Sequence, residues 1–357
     1  MTRAYINRLA VAVPEHEVHG SFVSVAERLL ADRQSRILFS RMAERSQIER
    51  RWSCVAPAKA GCNESLDADG FYTLGKFPST AERMRRYEIE APPLALKAVE
   101  RLCLGESVRE ITHLVVTSCT GLSAPGIDLE LIRACGFDPS IERTFIGFMG
   151  CNAAINALKL AYHIVRSVPK AKVLIVSLEL CTLHFQDSQD IERLLMFLLF
   201  GDGCAAALVS AEPIGLALDS FHAELVHEAA GQITWKIRDF GFDMVLSGQV
   251  PATIAGALRS ASDRILSGAS AEAIALWAVH PGGRTILDAV EDAFDLDPAA
   301  LSTSRGILRD YGNMSSPTIL FVLEALMREK PRPGARGCAM AFGPGLTAET
   351  MLFSAAG

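Results

Sequence analysis

Apolar and polar positions along this chain fall into two rhythms, amphipathic stretches with a period near 3.6 and short continuous apolar runs, which together predict interleaved helices and strands. Ala4 to Val13 reads as a strand, and a helical pattern follows from Val23 to Arg45 with many arginines on its exposed face. Residues 53–92 are poor in periodicity and hold Gly61, Gly70, Gly75, Pro78 and Pro92, so loops are expected there. Beyond them the alternation is clear: helix from Leu94 to Leu104, strand from His113 to Ser118, helix from Gly126 to Cys135, strand from Arg143 to Met149, helix from Asn152 to Val168, strand from Ala171 to Glu179. A helix from Ile191 to Leu199 and a buried strand from Cys204 to Ser210 close the first half. After a looser stretch near 211–235, helices are expected at 252–266, 284–294 and 317–330, and strands at 274–279, 337–341 and 349–354.

The segment from Asn152 to Val168 is apolar almost all round, broken mainly by Asn156, Lys159, His163 and Arg166. Such a helix belongs between layers, not on a surface. The expected fold is therefore α/β, a five-layer αβαβα sandwich in which two mixed sheets enclose buried central helices. The working division is 1–215 and 216–357, without a visible sequence repeat.

Composition narrows the function classes. The 357 residues are half hydrophobic and 21% charged, with a net charge of -6 from 35 Lys+Arg against 41 Asp+Glu, so no global field exists for gripping nucleic acid. The longest strongly apolar stretch, Leu194 to Phe200, is about a third of a membrane span. The run from Leu9 to Val13 is too short for a signal-peptide core. Nine cysteines, an odd number without any C-x-x-C pair, fit neither a disulfide framework nor a zinc ribbon. A cytoplasmic protein with reduced thiols, no integral membrane segment and no metal cluster is expected.

Four glycine-linked sites carry candidate chemistry. In Ile146 to Ala154 a strand stops at Gly150 and a helix begins, so Cys151 meets the positive end of a helix, which favours its thiolate. In Ala275 to Arg284 an apolar strand ends in His280, and Pro281-Gly282-Gly283 turns the chain into a helix, leaving the imidazole at the carboxyl edge of a sheet. Asn313, in the turn Asp310 to Pro317, can cap the next helix or present its amide to an oxyanion. Gly343-Pro344-Gly345 forms a rigid loop that leaves backbone N–H groups open to a ligand. Cysteine, histidine and asparagine in that order suggest thiolate acyl transfer, and the papain setting of the cysteine is absent, which leaves condensation.

These residues resemble the chalcone synthase family, the type III polyketide synthases of the thiolase-type fold. The resemblance spans nearly the whole chain on G-x-x-G-C at Cys151, L-F-G-D-G at Leu199 to Gly203, H-P-G-G at His280 to Gly283 with Y-G-N-M-S-S at Tyr311 to Ser316, and F-G-P-G-L-T at Phe342 to Thr347. It implies an acyltransferase with Cys151 as nucleophile and His280 and Asn313 completing a triad. Malonyl-CoA would be condensed iteratively, with decarboxylation, onto a Cys-bound acyl-CoA starter, and the product would cyclise to a pyrone, resorcinol or phloroglucinol. Coenzyme A thioesters are then substrates, no cofactor is needed, and a homodimer is expected. Phe200 matches the family's gatekeeping phenylalanine, while Met244 stands where the second gatekeeper is aromatic. Arg41 and Arg45 fall at two basic positions used for coenzyme A, and Leu38 at the third. The resemblance puts Cys119, Cys181, His184, Trp235 and Ser315 on the pocket wall, with Trp235 where plant enzymes carry glycine. The competing readings are a ketoacyl-ACP synthase III, which usually shows H-Q-A-N, and a non-catalytic thiolase-fold scaffold, which has no use for all three triad residues.

Overall fold

The computed structural model describes residues 2–58 and 65–356; Gly61 and Cys62 lie outside them. Its strands in chain order are β1 (Ala4–Ala12), β2 (His16–Glu17), β3 (Trp52–Ser53), β4 (His113–Ser118), β5 (Glu142–Gly147), β6 (Val173–Leu180), β7 (Asp202–Ser210), β8 (Leu216–Leu225), β9 (Ile233–Arg238), β10 (Gly241–Leu246), β11 (Leu276–Val279), β12 (Arg336–Gly343) and β13 (Thr347–Ala355). The helices are α1 (His19–Leu29), α2 (Arg33–Ser46), α3 (Thr80–Glu100), α4 (Ile127–Cys135), α5 (Ala153–Ser167), α6 (Ile191–Leu199), α7 (Val250–Ile265), α8 (Arg284–Phe294), α9 (Ser302–Tyr311) and α10 (Thr318–Arg328).

Nine strands run in the order β11-β12-β13-β8-β1-β7-β6-β4-β5. The two expected sheets are the two ends of this order, joined where Ala4, Tyr5 and Ile6 pair with Leu218, Ala217 and Leu216. Three separate hydrophobic cores show the layering. Leu174, Val176 and Leu178 of β6 face an outer core with Ala91, Leu94 and Ala98 of α3. The alternate residues Val173 and Ile175 face a central core with Leu158 and Ala161 of α5, Leu320 and Leu323 of α10, and Ala339 and Ala341 of β12. The other face of β12, Cys338, Met340 and Phe342, packs on Leu258 of α7 and Leu287 of α8. Strands buried on both faces explain the continuous apolar runs, and their two-residue period distributes side chains between cores. In β1, Ala4 and Ile6 join the central core but Ala10 and Ala12 the outer one, because a register shift between Ile6 and Arg8 turns the strand over.

Several expectations are corrected. The helix expected at 94–104 spans Thr80–Glu100, started by a capping box in which Ser79 and Glu82 bond reciprocally, and it carries Pro92 and Pro93 inside. The expected helix over 23–45 is broken into α1 and α2, with Asp32 capping the second through the Ser35 N–H. The looser stretch holds β8, whose second half is largely solvent-facing and so lacks an apolar run. No helix among the described residues is long and apolar enough to cross a membrane.

Candidate active site

The chain leaves β5 through a tight turn in which Phe148 (φ 57°) and Gly150 (φ 75°) take left-handed backbone. Gly150, Cys151 and Asn152 form one 3-10 turn that runs into α5. A Cβ on Gly150 would lie 2.2 Å from Pro344 Cδ, and one on Gly343 would lie 2.5 Å from Asn152 Nδ2. The Gly-Pro-Gly loop is thus packed against the cysteine turn, and Asn152 Nδ2 donates to Thr347 Oγ1 at 2.6 Å. Glycine at both places is a condition for that contact.

His280 follows β11, with its N–H donating to Met340 O at 2.8 Å and its side chain 1% exposed. Neither ring nitrogen has a partner among the described residues. Asn313 Nδ2 donates to Gly282 O at 3.3 Å, in the turn after the histidine, and Asn313 Oδ1 accepts from Ser315 N–H at 2.8 Å. Those two bonds fix the amide with its N–H₂ end toward the His280 turn. Ser315, itself in left-handed backbone (φ 59°), has Oγ 3.5 Å from Cys151 Sγ. Non-glycine residues in such conformations persist where the surroundings over-determine them.

The thiolate expected from the helix end alone is not what the site favours. Burial pushes the Cys151 thiol up to about 11, against the opposing pull of Ser315 and Asn313. Burial likewise lowers the His280 imidazole to about 3. A lone charge on either group is costly; moving the proton from one to the other keeps the pair neutral overall and is the cheaper route to a thiolate.

Cys151, His280 and Asn313 open on one cavity of about 1140 Å³. That lies at or above the upper end of ordinary small-molecule sites, roughly 300–1,000 Å³. Leu38, Met42 and Val245 line it and are 48%, 42% and 46% exposed, which locates its mouth. Of the expected wall residues, Cys119, Cys181, Phe200, Trp235, Met244 and Ser315 line it, and so does Arg45. Trp235 and Met244 are direct cross-strand partners on the β9–β10 hairpin, so one face of that hairpin forms the wall. Trp235 Nε1 donates to Cys119 O at 2.7 Å. Burial pushes both the Cys119 and Cys181 thiols well up. A second apolar cavity of about 80 Å³ shares Cys181, Phe197 and Phe200 with the first.

Two expected residues are elsewhere. His184 is not on the cavity wall: its ring stacks on Phe242 at 4.1 Å, accepts from Phe242 N–H through Nδ1 at 3.1 Å, and lies 2.7 Å from Thr120 O through Nε2. It fastens the hairpin from behind. Arg41 is exposed but does not line the cavity, because α2 turns positions 38, 42 and 45 toward the mouth.

The sequence reading gave no role to Glu179, fully buried in β6. It accepts from Cys119 N–H and Thr120 Oγ1, both at 2.8 Å, and from Ser316 Oγ at 2.7 Å. Burial raises its carboxyl to about 7 despite those donors. A single carboxylate inside the run Val173 to Leu180 was the available signal.

With this geometry in hand, comparison with known proteins gives a consistent result. The family model for the N-terminal domain of chalcone and stilbene synthases matches residues 4–213, and that for the C-terminal domain matches 217–356. The chain is 34% identical to "Alpha-pyrone synthesis polyketide synthase-like Pks18" of Mycobacterium tuberculosis, covering 99% of this chain and 91% of that one. It is 32% identical to bisdemethoxycurcumin synthase of Oryza sativa, over 89% of this chain and 83% of that one. Among solved structures, 1,3,6,8-tetrahydroxynaphthalene synthase of Streptomyces coelicolor superposes with a TM-score of 0.85 at 29% identity, covering 99% of each chain.

Proposed function

The chain belongs to the chalcone and stilbene synthase family, the type III polyketide synthases, and on that premise we propose a triad of Cys151, His280 and Asn313 that extends an acyl-CoA starter with malonyl-CoA. The observation that carries this reading is the opening of all three side chains onto one large cavity, with the Asn313 amide oriented toward the His280 turn.

Members of the family are acyltransferases acting on coenzyme A thioesters, and the steps follow from the residues. Cys151 gives its proton to His280 and attacks the starter carbonyl; the C–S bond to coenzyme A breaks and the proton passes to the leaving sulfur. Malonyl-CoA then loses CO₂, and the electron pair becomes a thioester enolate. A neutral His280 N–H and the Asn313 N–H donate to that oxyanion, each worth about 3–4 kcal/mol. The enolate carbon attacks the acyl-Cys151 carbonyl, forming the new C–C bond and releasing the cysteine sulfur. The lengthened chain returns to Cys151 for another round or cyclises to a pyrone, resorcinol or phloroglucinol; similarity to a protein named for alpha-pyrone synthesis favours the first.

Phe200 and Met244 act as the gate, and Trp235, Cys119, Cys181 and Ser315 shape the cyclisation space. Arg45, with Arg41 further out, meets the coenzyme A phosphates. The half 1–215 supplies the nucleophile and 216–357 the histidine and asparagine. The edge strand β5, with Phe145 37% exposed beside Leu122 and Met149, supports pairing of two chains through that edge. The eight described cysteines are free, which supports a reducing, cytoplasmic setting. The test is purified protein with malonyl-CoA and a panel of acyl-CoA starters: CO₂ release and cyclised products by mass spectrometry are expected, and product formed only from malonyl-ACP would overturn the reading.

A further inference from the structure

The mouth of the cavity is short of the cations that a coenzyme A thioester calls for. Of α2, only Arg45 brings a positive charge to the lining; Leu38 and Met42 are apolar there and Arg41 stands off it. Two more arginines line the same cavity, Arg193 of α6 and Arg284 at the first position of α8.

Arg193 is already engaged. Its Nη1 donates to Gln186 Oε1 at 2.9 Å and its Nη2 lies 3.4 Å from Asp243 Oδ1, while Asp190 and Glu192 line the same wall. That side of the mouth repels phosphate.

Arg284 is differently placed. Its contact is Nε to Asp288 Oδ2 at 3.6 Å, with both side chains about 40% exposed, at 38% and 42%. Asp288 has a firmer partner, since Arg305 Nη2 donates to its other oxygen at 2.7 Å. If Arg284 swings away, Asp288 keeps its counter-ion. A planar guanidinium with five N–H donors and so loose a tie, four residues past the candidate catalytic histidine on a cavity wall, matches the geometry of a phosphate oxygen pair.

We infer that Arg284 is a phosphate anchor for the coenzyme A moiety of starter and extender, supplying the charge that Leu38 does not. This rests on the reading of the chain as a user of coenzyme A thioesters. In coenzyme A the whole pantetheine arm separates the phosphates from the thioester carbon, so a phosphate contact holds ground and transition states alike and is felt in KM, not in kcat.

The test compares calorimetric affinities for coenzyme A and for pantetheine, which lacks the phosphates, in wild type, Arg284→Ala and Arg284→Lys. The ratio of coenzyme A to pantetheine affinity is expected to fall about tenfold in the alanine variant and to recover only in part in the lysine variant, which restores the charge without the planar fork. An unchanged ratio in Arg284→Ala, including equal weakening of both ligands, overturns the anchor and leaves the functional reading standing. A wild-type chain that binds no coenzyme A overturns both.

Discussion

The backbone of Asn313 is bonded to the chain on both sides of Phe200: the Asn313 N–H donates to Leu199 O at 2.8 Å, and Asn313 O accepts from the Gly201 N–H at 2.9 Å. Phe200, the proposed gate, and Asn313, whose amide is proposed to face the enolate, therefore form one parallel bridge. Beneath it, Arg51 Nη1 donates to Phe197 O at 3.0 Å and to Phe200 O at 2.5 Å.

Gly312 is the residue that lets these two segments approach. It has φ 67°, and a Cβ there would lie 2.8 Å from both Leu199 O and Arg51 Cγ. Gly312→Ala is expected to cost about 2 kcal/mol or more in stability and to lower decarboxylation by displacing Asn313. Denaturant unfolding alongside CO₂ release checks this; wild-type values for both would show the approach is not needed.

Asn313→Ala should separate two steps. Loading of the starter onto Cys151 is expected to persist, while malonyl-CoA decarboxylation drops by about two to three orders of magnitude, the effect of losing one oxyanion donor. Radiolabelled loading and CO₂ release measured on the same variant decide it, and equal loss of both would assign the amide to holding the site together.

Glu179 sets a pH dependence of stability. Its carboxyl is raised from 4.5 to about 7 by burial, so between those values the folded state binds the proton that the unfolded chain has released. The contribution of this one carboxyl is full below pH 4.5 and is lost as pH rises through 7, by about 3 kcal/mol. Glu179→Gln should remove this component, so the difference in unfolding free energy between variant and wild type should rise across that interval. A constant difference would mean the carboxyl titrates normally.

Trp235 limits the cavity on the hairpin side. Trp235→Ala should widen the accepted starters toward bulkier aromatic acyl-CoA, at a stability cost of about 3 kcal/mol from lost packing and the freed Cys119 carbonyl. A competition among starters, read by product mass, checks it; an unchanged starter profile would place the size limit elsewhere.

The glycine-bearing motifs were legible in the sequence because each glycine is where a neighbouring side chain packs directly on the backbone, the Pro344 ring on Gly150 and the Met314 thioether on Gly203. The buried helix α5 was legible because Ala154, Ile155, Ala157, Leu158, Ala161 and Val165 cover most of its circumference and join the central core, leaving only the narrow stripe of Asn156, Lys159, His163 and Arg166 off it. The β9–β10 hairpin was not, because half of it faces solvent and Ile237 at 52% exposure mimics a core residue. His184, expected on the wall, is rotated inward by the 3-10 turn over Cys181–His184, away from Cys181 on the wall, and the sequence has no signal for that turn. Burial reversing the helix-end effect on Cys151 depends on surroundings that no local motif encodes.

The central claim is that Cys151, rather than Cys119 or Cys181 on the same wall, carries the growing chain. Intact-protein and peptide mass spectrometry after incubation with a starter acyl-CoA tests it directly. One acyl adduct is expected on the peptide containing Cys151 and none in Cys151→Ala, with that variant inactive in condensation. An adduct that persists in Cys151→Ala, or maps to Cys119 or Cys181 in the wild type, would contradict it.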